Sequence, residues 1–366
     1  MTLAAEPLAD VQRLITNRLD AAALRGRRLC VILGESCSAH AKSPALWNAA
    51  FVALGVPAAY AALDVPAEQL EAAVQALRAD EAFLGGSVTM PYKARILPLL
   101  DEVDPVAARI GAVNAIARTA EGRLRGYNTD GLGGVRALAE AGVRPSGARV
   151  ALLGAGGAAQ ALAAYVWDAL GDGELTLINR HEEAARTIAQ RLLAARAGHV
   201  RVVDEAAADE ALAGATLVIN ATTKGQAGLR AIPGGQWTCL EPYSALAPAH
   251  PAALPAMPGQ EPAFFAAWFR ASREDVLRNL QRSLALCTRL QPEAVCYDIV
   301  YAPLETMFLR HARLSGHRTL NGQGMNLWQA VEAFNLVCGA WLSGQGLAGE
   351  AVTARVRAAM AGVWGR

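Results

Sequence analysis

The stretch that most constrains this chain is "ARVALLGAGGAAQALAAYVWDALG", residues 148–171. An apolar run enters a turn of glycines and alanines, and a helical pattern leaves it without a break. Gly154, Gly156 and Ala159 match G-x-G-x-x-[G/A]. A chain rich in Gly and Ala produces that spacing by chance, but between a strand and a helix it has a mechanism. Gly154 permits the tight turn, Gly156 admits a pyrophosphate against the backbone, and Ala159 lets helix and strand lie close. The helix N-terminus supplies N–H donors. The turn Gly154, Ala155, Gly156, Gly157 and Ala158 is therefore read as a dinucleotide cradle. The plainer alternative is a structural turn in some other α/β protein.

The flanking segments keep the same rhythm. Downstream, "ELTLINR" (174–180) is a strand, "EEAARTIAQRLLAA" a helix, and "HVRVVD" and "ATLVINATT" are strands. Upstream, "RLCVILG" (28–34) is a strand and "SPALWNAAFVALG" (43–55) a helix, with Ser43 as N-cap, Pro44 at N1 and Gly55 at its end. "AAYAALDV", the amphipathic helix "PAEQLEAAVQALRA", the strand "FLGGSVTM" and the short strands "NAIART" and "GRLRGYNT" follow. A helix from Gly131, with Asp130 as its cap, leads on to the glycine turn. Such alternation implies an α/β protein with parallel, doubly wound sheets, and 366 residues suffice for two full cores.

Two regions differ. Leu8, Val11, Leu14 and Ile15 are spaced for an amphipathic N-terminal helix. From Gly228 to Gln291 the rhythm breaks: "IPGGQWTCLEPYSALAPAHPAALPAMPGQEP" is dense in Pro and Gly and reads as irregular, and "AFFAAWFRASREDVLRNLQRSLALCTRL" reads as helix. After it come a strand (294–303), a helix, the turn "LNGQGM" (320–325) and long C-terminal helices.

With 34 Lys+Arg against 33 Asp+Glu, the net charge of +1 offers no electrostatic case for nucleic acid or an anionic membrane. No uninterrupted apolar run reaches the ~18–20 residues of a membrane span. The N-terminus lacks the basic-then-apolar order of a signal peptide, so a cytoplasmic location is expected. Six scattered cysteines without a C-x-x-C pair read as reduced core residues, and no metal site is expected. At the end of the second strand of the glycine-turn unit stand Asn179 and Arg180. An arginine there pairs with a 2′-phosphate, so NADP is favoured over NAD, although His181, Glu182 and Glu183 blur the signal.

Several short stretches together resemble the shikimate/quinate dehydrogenase family: "HAKSPALWN", "GGSVTMPYK", "GAVNAI", "GYNTDGLG", "LLGAGGAAQA", "INR", "VINATTKG", "YDIVYAPLET" and "NGQGMNLWQAVEAF", in that family's order. The resemblance implies a substrate domain of residues 1–130, completed by C-terminal helices 321–366. It implies a Rossmann NADP domain of 131–320 with an insertion at about 228–291, and an active site in the cleft between the two domains. It further implies reversible, NADP-dependent oxidation of a ring alcohol of shikimate or a related cyclic polyol acid, in aromatic amino acid biosynthesis, by a monomer or homodimer.

By the same resemblance Lys93 and Asp130 would be the catalytic pair. Ser43 and Tyr301 would serve the substrate carboxylate, and Thr89, Asn114 and Gln329 the ring hydroxyls. Thr222 and residue 323, the glutamine between Gly322 and Gly324, would join the glycine turn, Asn179 and Arg180 at the cofactor. Each has a plainer role: Lys93 a solvated first-turn residue, Ser43 and Asp130 helix caps, Asn114 a turn residue, Gln329 a polar helix face.

The departures cluster at the substrate. Ala41 stands where the family has its first serine, with one extra residue between Gly34 and His40, so that Ser36 or Ser38 would have to compensate. Ser87 replaces an asparagine, Ala115 a threonine, Gln226 a methionine, and Ala184 a second arginine. Loss of one hydroxyl donor from a buried carboxylate site costs about 1–3 kcal/mol. Weak activity on shikimate, or a preference for quinate or an amino analogue, is expected. Two further readings are a catalytically weak ligand-binding regulator on the same fold and, disfavoured by Asn128-Thr129-Asp130, a folate-type dehydrogenase.

Overall fold

Two predominantly parallel six-stranded sheets organise the chain in the computed structural model, which describes residues 8–256 and 259–364. The chain divides into two units, Met1–Arg136 with Asn326–Arg366, and Ala137–Met325.

The first unit opens with two single-turn helices, α1 (Ala9–Gln12) and α2 (Ala21–Leu24). The expected N-terminal helix is therefore one turn within the described residues, and its share before Leu8 lies outside them. The physical reason is Asn17. Its amide donates to the Ala62 carbonyl (2.9 Å) and accepts from the Asp64 N–H (2.8 Å), so the segment follows a sheet edge instead of coiling.

Then come β1 (Arg28–Gly34), α3 (Ser43–Leu54), β2 (Ala58–Asp64), α4 (Leu70–Ala79), β3 (Phe83–Val88), α5 (Tyr92–Arg95), β4 (Glu102–Val103), α6 (Pro105–Ile110), β5 (Ala115–Arg118), β6 (Leu124–Tyr127) and α7 (Asp130–Glu140). The sheet order is β2-β1-β3-β5-β6-β4. Strand β1 is parallel to both neighbours and covered on both faces, which is why it reads as one apolar run. Cys30 and Ile32 face a core with Trp47, Phe51 and Tyr60, while Leu29, Val31 and Leu33 face one with Val74, Leu77, Tyr92 and Ile96. A Cβ on Gly86 would lie 1.8 Å from the Val31 carbonyl, so only glycine lets β3 approach β1 this closely.

The second unit contains β7 (Arg149–Leu153), α8 (Gly157–Leu170), β8 (Glu174–Asn179), α9 (Glu182–Ala195), β9 (His199–Asp204), α10 (Asp209–Gly214) and β10 (Leu217–Asn220). The region expected to be irregular instead holds β11 (Leu229–Ile232), β12 (Gln236–Cys239) and β13 (Leu254–Pro255), an antiparallel three-stranded sheet, before the long α11 (Glu261–Cys287). The first prolines and glycines of that stretch are confined to the Pro233-Gly234-Gly235 turn, whose glycines supply the positive φ, and Pro255 sits on an edge strand. Phe264 and Trp268 of α11 are buried with Tyr243, Cys239 and Val276 in a small core belonging to this segment.

The chain then forms β14 (Val295–Asp298), α12 (Met307–Leu314), β15 (Arg318–Leu320), α13 (Gln323–Ser343) and α14 (Glu350–Trp364). The turn expected at 320–325 is thus the end of β15 and the start of α13. The sheet order β15-β14-β10-β7-β8-β9 is parallel throughout. From β7 the chain goes to β8 on one side and later to β10 on the other, so a topological switch point lies beyond the C-terminal ends of β7 and β10. Helices α13 and α14 complete the first unit: Phe334 lies 5.1 Å from Trp47, and Val356, Met360 and Trp364 enter the same core. Among the described residues no helix is long and apolar enough to cross a membrane.

These close approaches predict a contrast. Gly86→Ala should destabilise the protein by about 2 kcal/mol or more. Gly362→Ala, in α14 with nothing within 4 Å of an added Cβ, should stabilise it by about 0.5–1 kcal/mol. Thermal melts of the two variants check this.

Candidate active site

Lys93 sits in the single turn α5, and its backbone is fixed from both sides. The Tyr92 N–H donates to the Thr89 carbonyl (2.9 Å), the Val113 N–H to the Lys93 carbonyl (2.7 Å), and the Thr89 N–H to Leu33 at the end of β1 (2.9 Å). Gly34 is required beside this loop, since a Cβ there would meet the Thr89 methyl at 2.5 Å. The Lys93 ammonium does not point freely into solvent. Nζ donates to Asp130 Oδ2 at 2.6 Å, with the two side chains 27% and 19% exposed.

Asp130 is the first residue of α7, and the first helical bond runs from the Gly133 N–H to the Thr129 carbonyl (2.8 Å). Asp130 is therefore a first-turn residue and not the cap. Oδ1 accepts from Asn114 Nδ2 at 2.8 Å, so both carboxylate oxygens are held by side chains. Asn114 is buried, and its carbonyl oxygen accepts the Thr129 N–H at 2.7 Å. The Thr129 hydroxyl reaches the Gln329 carbonyl of α13 at 3.0 Å, while Gln329 Nε2 donates to the Asn326 carbonyl at 3.1 Å. Lys93, Asp130, Asn114 and the Gln329 backbone thus belong to one hydrogen-bonded network.

The remaining substrate candidates fall in two places. Ser43 is the first residue of α3, with Lys42 in the cap position, so its expected capping role is not realised. Tyr60 of β2, which sequence reasoning passed over, brings its phenol to the Ser87 and Ser43 side chains. That oxygen is buried and closes no aligned hydrogen bond. In the sequence Tyr60 is only one residue of the strand "AAYAALDV", with nothing beside it to set it apart. Of the two serines offered as compensation for Ala41, Ser38 is taken: its hydroxyl and N–H both donate to Asp64. Ser36 is exposed. Tyr301 belongs to the second unit and is 44% exposed.

In the second unit the glycine turn follows β7 as expected. The Gly154 N–H donates to the Ile178 carbonyl (2.8 Å), and φ is +110°. A Cβ at Gly154 would lie 2.8 Å from the Ala221 carbonyl, whereas one at Gly156 or Gly157 would meet nothing within 4 Å. That open space stands at the N-terminus of the fourteen-residue α8 and fits a pyrophosphate. Beside it is a cavity of about 400 Å³ lined by Gly154, Asn179, Arg180, His181, Thr222 and Lys224, among others. Asn179 Nδ2 donates to the His181 carbonyl (2.8 Å), which shapes the turn carrying Arg180. The Thr222 hydroxyl donates to Asn220 Oδ1 (2.7 Å), and Asn220 Nδ2 donates to buried Asp298 (2.9 Å). Residue 323, a glutamine, starts α13 with its N–H on Asn321 Oδ1 (3.1 Å). The glycine that geometry demands there is Gly322, where a Cβ would lie 1.8 Å from the Ile299 carbonyl.

Lys224, within "VINATTKG", is a candidate functional residue that its neighbours in sequence do not single out. It forms a buried ion pair with Glu205 and donates to the Ala247 carbonyl at 2.7 Å. Burial, with Arg180 close by, pushes its ammonium below the usual lysine range, and the Asp275 carboxylate opposes this. Its position one turn beyond β10, at the switch point, was the available signal.

Residues 32–116 match the family model for the shikimate dehydrogenase substrate binding domain. A shikimate dehydrogenase (NADP(+)) of Moorella thermoacetica is 38% identical over 314 residues, spanning 85% of this chain and 88% of that protein. This chain belongs to the shikimate dehydrogenase family. Among solved structures, shikimate 5-dehydrogenase from Listeria monocytogenes, in complex with shikimate and NAD, is similar with a TM-score of 0.68 and 27% identity, over 89% of this chain and 95% of that one. Quinate dehydrogenase from Corynebacterium glutamicum, in complex with NAD, gives 0.66 and 25%, over 92% and 99%.

In this family member Asp298 is fully buried, and burial pushes its carboxyl up to about 7 against the bonds from Thr306, Val300 and Asn220. The unfolded chain ionises near ~3.9. The folded state therefore keeps a proton that the unfolded state has lost, and stability falls as pH rises from about 4 to about 7. Asp298→Asn should remove up to about 4 kcal/mol of that decline. Denaturant titrations across the window read it directly.

Proposed function

We propose that this protein is an NADP-dependent dehydrogenase that reversibly oxidises the ring secondary alcohol of shikimate, or of a closely related cyclic polyol acid, to the 3-keto form. The observation that carries this reading is the Lys93–Asp130 pair, closed at 2.6 Å and buttressed by Asn114. Two polar groups fixed at one place meet the need of alcohol oxidation for a proton acceptor at the hydroxyl. In oxidation the hydroxyl proton passes to this pair, and in reduction the pair returns it. Asn114, with its amide committed to Asp130 and Thr129, holds the carboxylate in one orientation.

When bound, NADP⁺ supplies the hydride acceptor for the carbinol carbon. The glycine turn, the α8 N-terminus and Thr222 would receive its phosphates and nicotinamide half, and Arg180 its 2′-phosphate. Ser43, Thr89, Gln329 and Tyr301 are assigned to the substrate acid and ring hydroxyls, and residue 323 to the cofactor. A second reading, quinate or an amino analogue as the preferred substrate, is favoured by Ala41 and Ser87, which change the carboxylate side and leave the proton-transfer pair intact. That intact pair speaks against a purely ligand-binding regulator.

The test follows NADPH absorbance with shikimate and quinate, each with NADP and with NAD. Lys93→Ala should lower kcat by about 10²–10⁴-fold with a smaller change in KM, and unchanged turnover would overturn the assignment. Ala41→Ser should raise kcat/KM for shikimate about 5–100-fold, the equivalent of one recovered hydroxyl donor. No gain would mean that Ser87 and Tyr60 already complete the carboxylate site.

A further inference from the structure

We infer that the segment 228–291 is part of the cofactor site: its small sheet walls the cavity beside Arg180, and Lys224 and Arg230 join Arg180 in binding the 2′-phosphate of the adenosine. This rests on the NADP reading above and adds a binding surface to it.

The cavity has two origins. Leu153, Gly154, Ile178 and Arg180 come from the alternating β/α framework, and Arg230, Ile232, Thr238 and Leu240 come from β11, β12 and the residue after them. Arg180, Lys224 and Arg230 bring three cations against one carboxylate, Glu205. A phosphate monoester is dianionic near neutral pH, so the excess charge matches it. A ribose diol carries no charge and does not call for this excess.

The segment is also fastened to the loop after β10. The Gly225 N–H donates to the Leu240 carbonyl at 2.9 Å, and the Arg230 guanidinium donates to the Thr223 hydroxyl. Lys224 donates to the Ala247 carbonyl of the segment, and α11 holds that carbonyl in place. Buried Asn279 donates to the carbonyls of Ala247 (2.9 Å) and Pro248 (3.0 Å) and accepts the Ser244 N–H (2.8 Å). From the same helix, Arg282 donates to the Ala206 carbonyl (2.6 Å) and pairs with Asp209, which braces the turn carrying Glu205. Helix α11 therefore fixes both partners of Lys224. Two of the three ammonium N–H donors are taken by Glu205 and Ala247, which leaves one on a side chain that lines the cavity.

The experiment is calorimetric binding of 2′,5′-ADP and 5′-AMP to the full chain, with no turnover required. Wild type should prefer 2′,5′-ADP. Arg230→Gln, at an exposed position, should weaken 2′,5′-ADP about 3–10-fold, and Lys224→Met about 10–100-fold, with 5′-AMP unchanged. A wild type with no preference overturns the NADP reading and this inference together. A wild-type preference that both variants keep overturns this inference alone. Equal weakening of both ligands would mean a collapsed pocket and would overturn the phosphate assignment. If Lys224→Met does not fold, Arg230→Gln decides.

Discussion

A single carboxylate anchors the working end of the first unit. Asp130 presents one oxygen to Lys93 and the other to Asn114, and each donor is held by a different part of the sheet. Lys93 is placed by the loop after β3, Asn114 by backbone bonds to Val88 and Tyr127 just before β5, and Thr129, which locks Asn114, by the start of α7. The geometry at Asp130 therefore depends on β3 being seated against β1. That seating depends in turn on Gly86, whose missing side chain lets the two backbones meet. A charge pair is worth little on an exposed surface. Here its value lies in direction: two fixed donors leave the carboxylate one orientation.

Much of this was legible because the chemistry is local. The glycine turn, the lysine after Pro91 and the Asn-Thr-Asp run each combine a backbone requirement with a functional side chain within a few residues, so short stretches sufficed to place them. What was missed is non-local. Tyr60 and Ser87 meet because β2 and β3 flank β1, and nothing near Tyr60 in sequence announces a polar neighbour. Lys224 acquires meaning only from Glu205 and Ala247, some twenty residues away on either side. The segment after Gly228 looks irregular only when its Pro and Gly content is averaged over about thirty residues. Punctuation of that kind acts at single positions: Pro233 to Gly235 make one turn and leave β11 and β12 on either side free to pair.

The departures from the family pattern take on a physical shape. Ser38 is drawn to Asp64, so the extra residue before His40 lengthens a turn without delivering a second hydroxyl toward Ser43. The polar group that meets Ser43 is the Tyr60 phenol, which also meets Ser87, and both Tyr60 and Ser87 come from the sheet. A donor on a strand is held more rigidly than one on a loop. A pocket built this way should tolerate fewer ligand shapes than one closed by a flexible serine pair.

The order of the chain adds a constraint of another kind. The second unit occupies one continuous stretch, while the first needs α13 and α14, which follow that stretch in the chain, to bury Trp47, Phe51 and Tyr60. On the ribosome the second unit is therefore complete while the first still exposes aromatic surface. Nascent chains of this protein pass through an interval in which one unit is native and its neighbour is half-built, when association with a chaperone or with another nascent chain is most favoured.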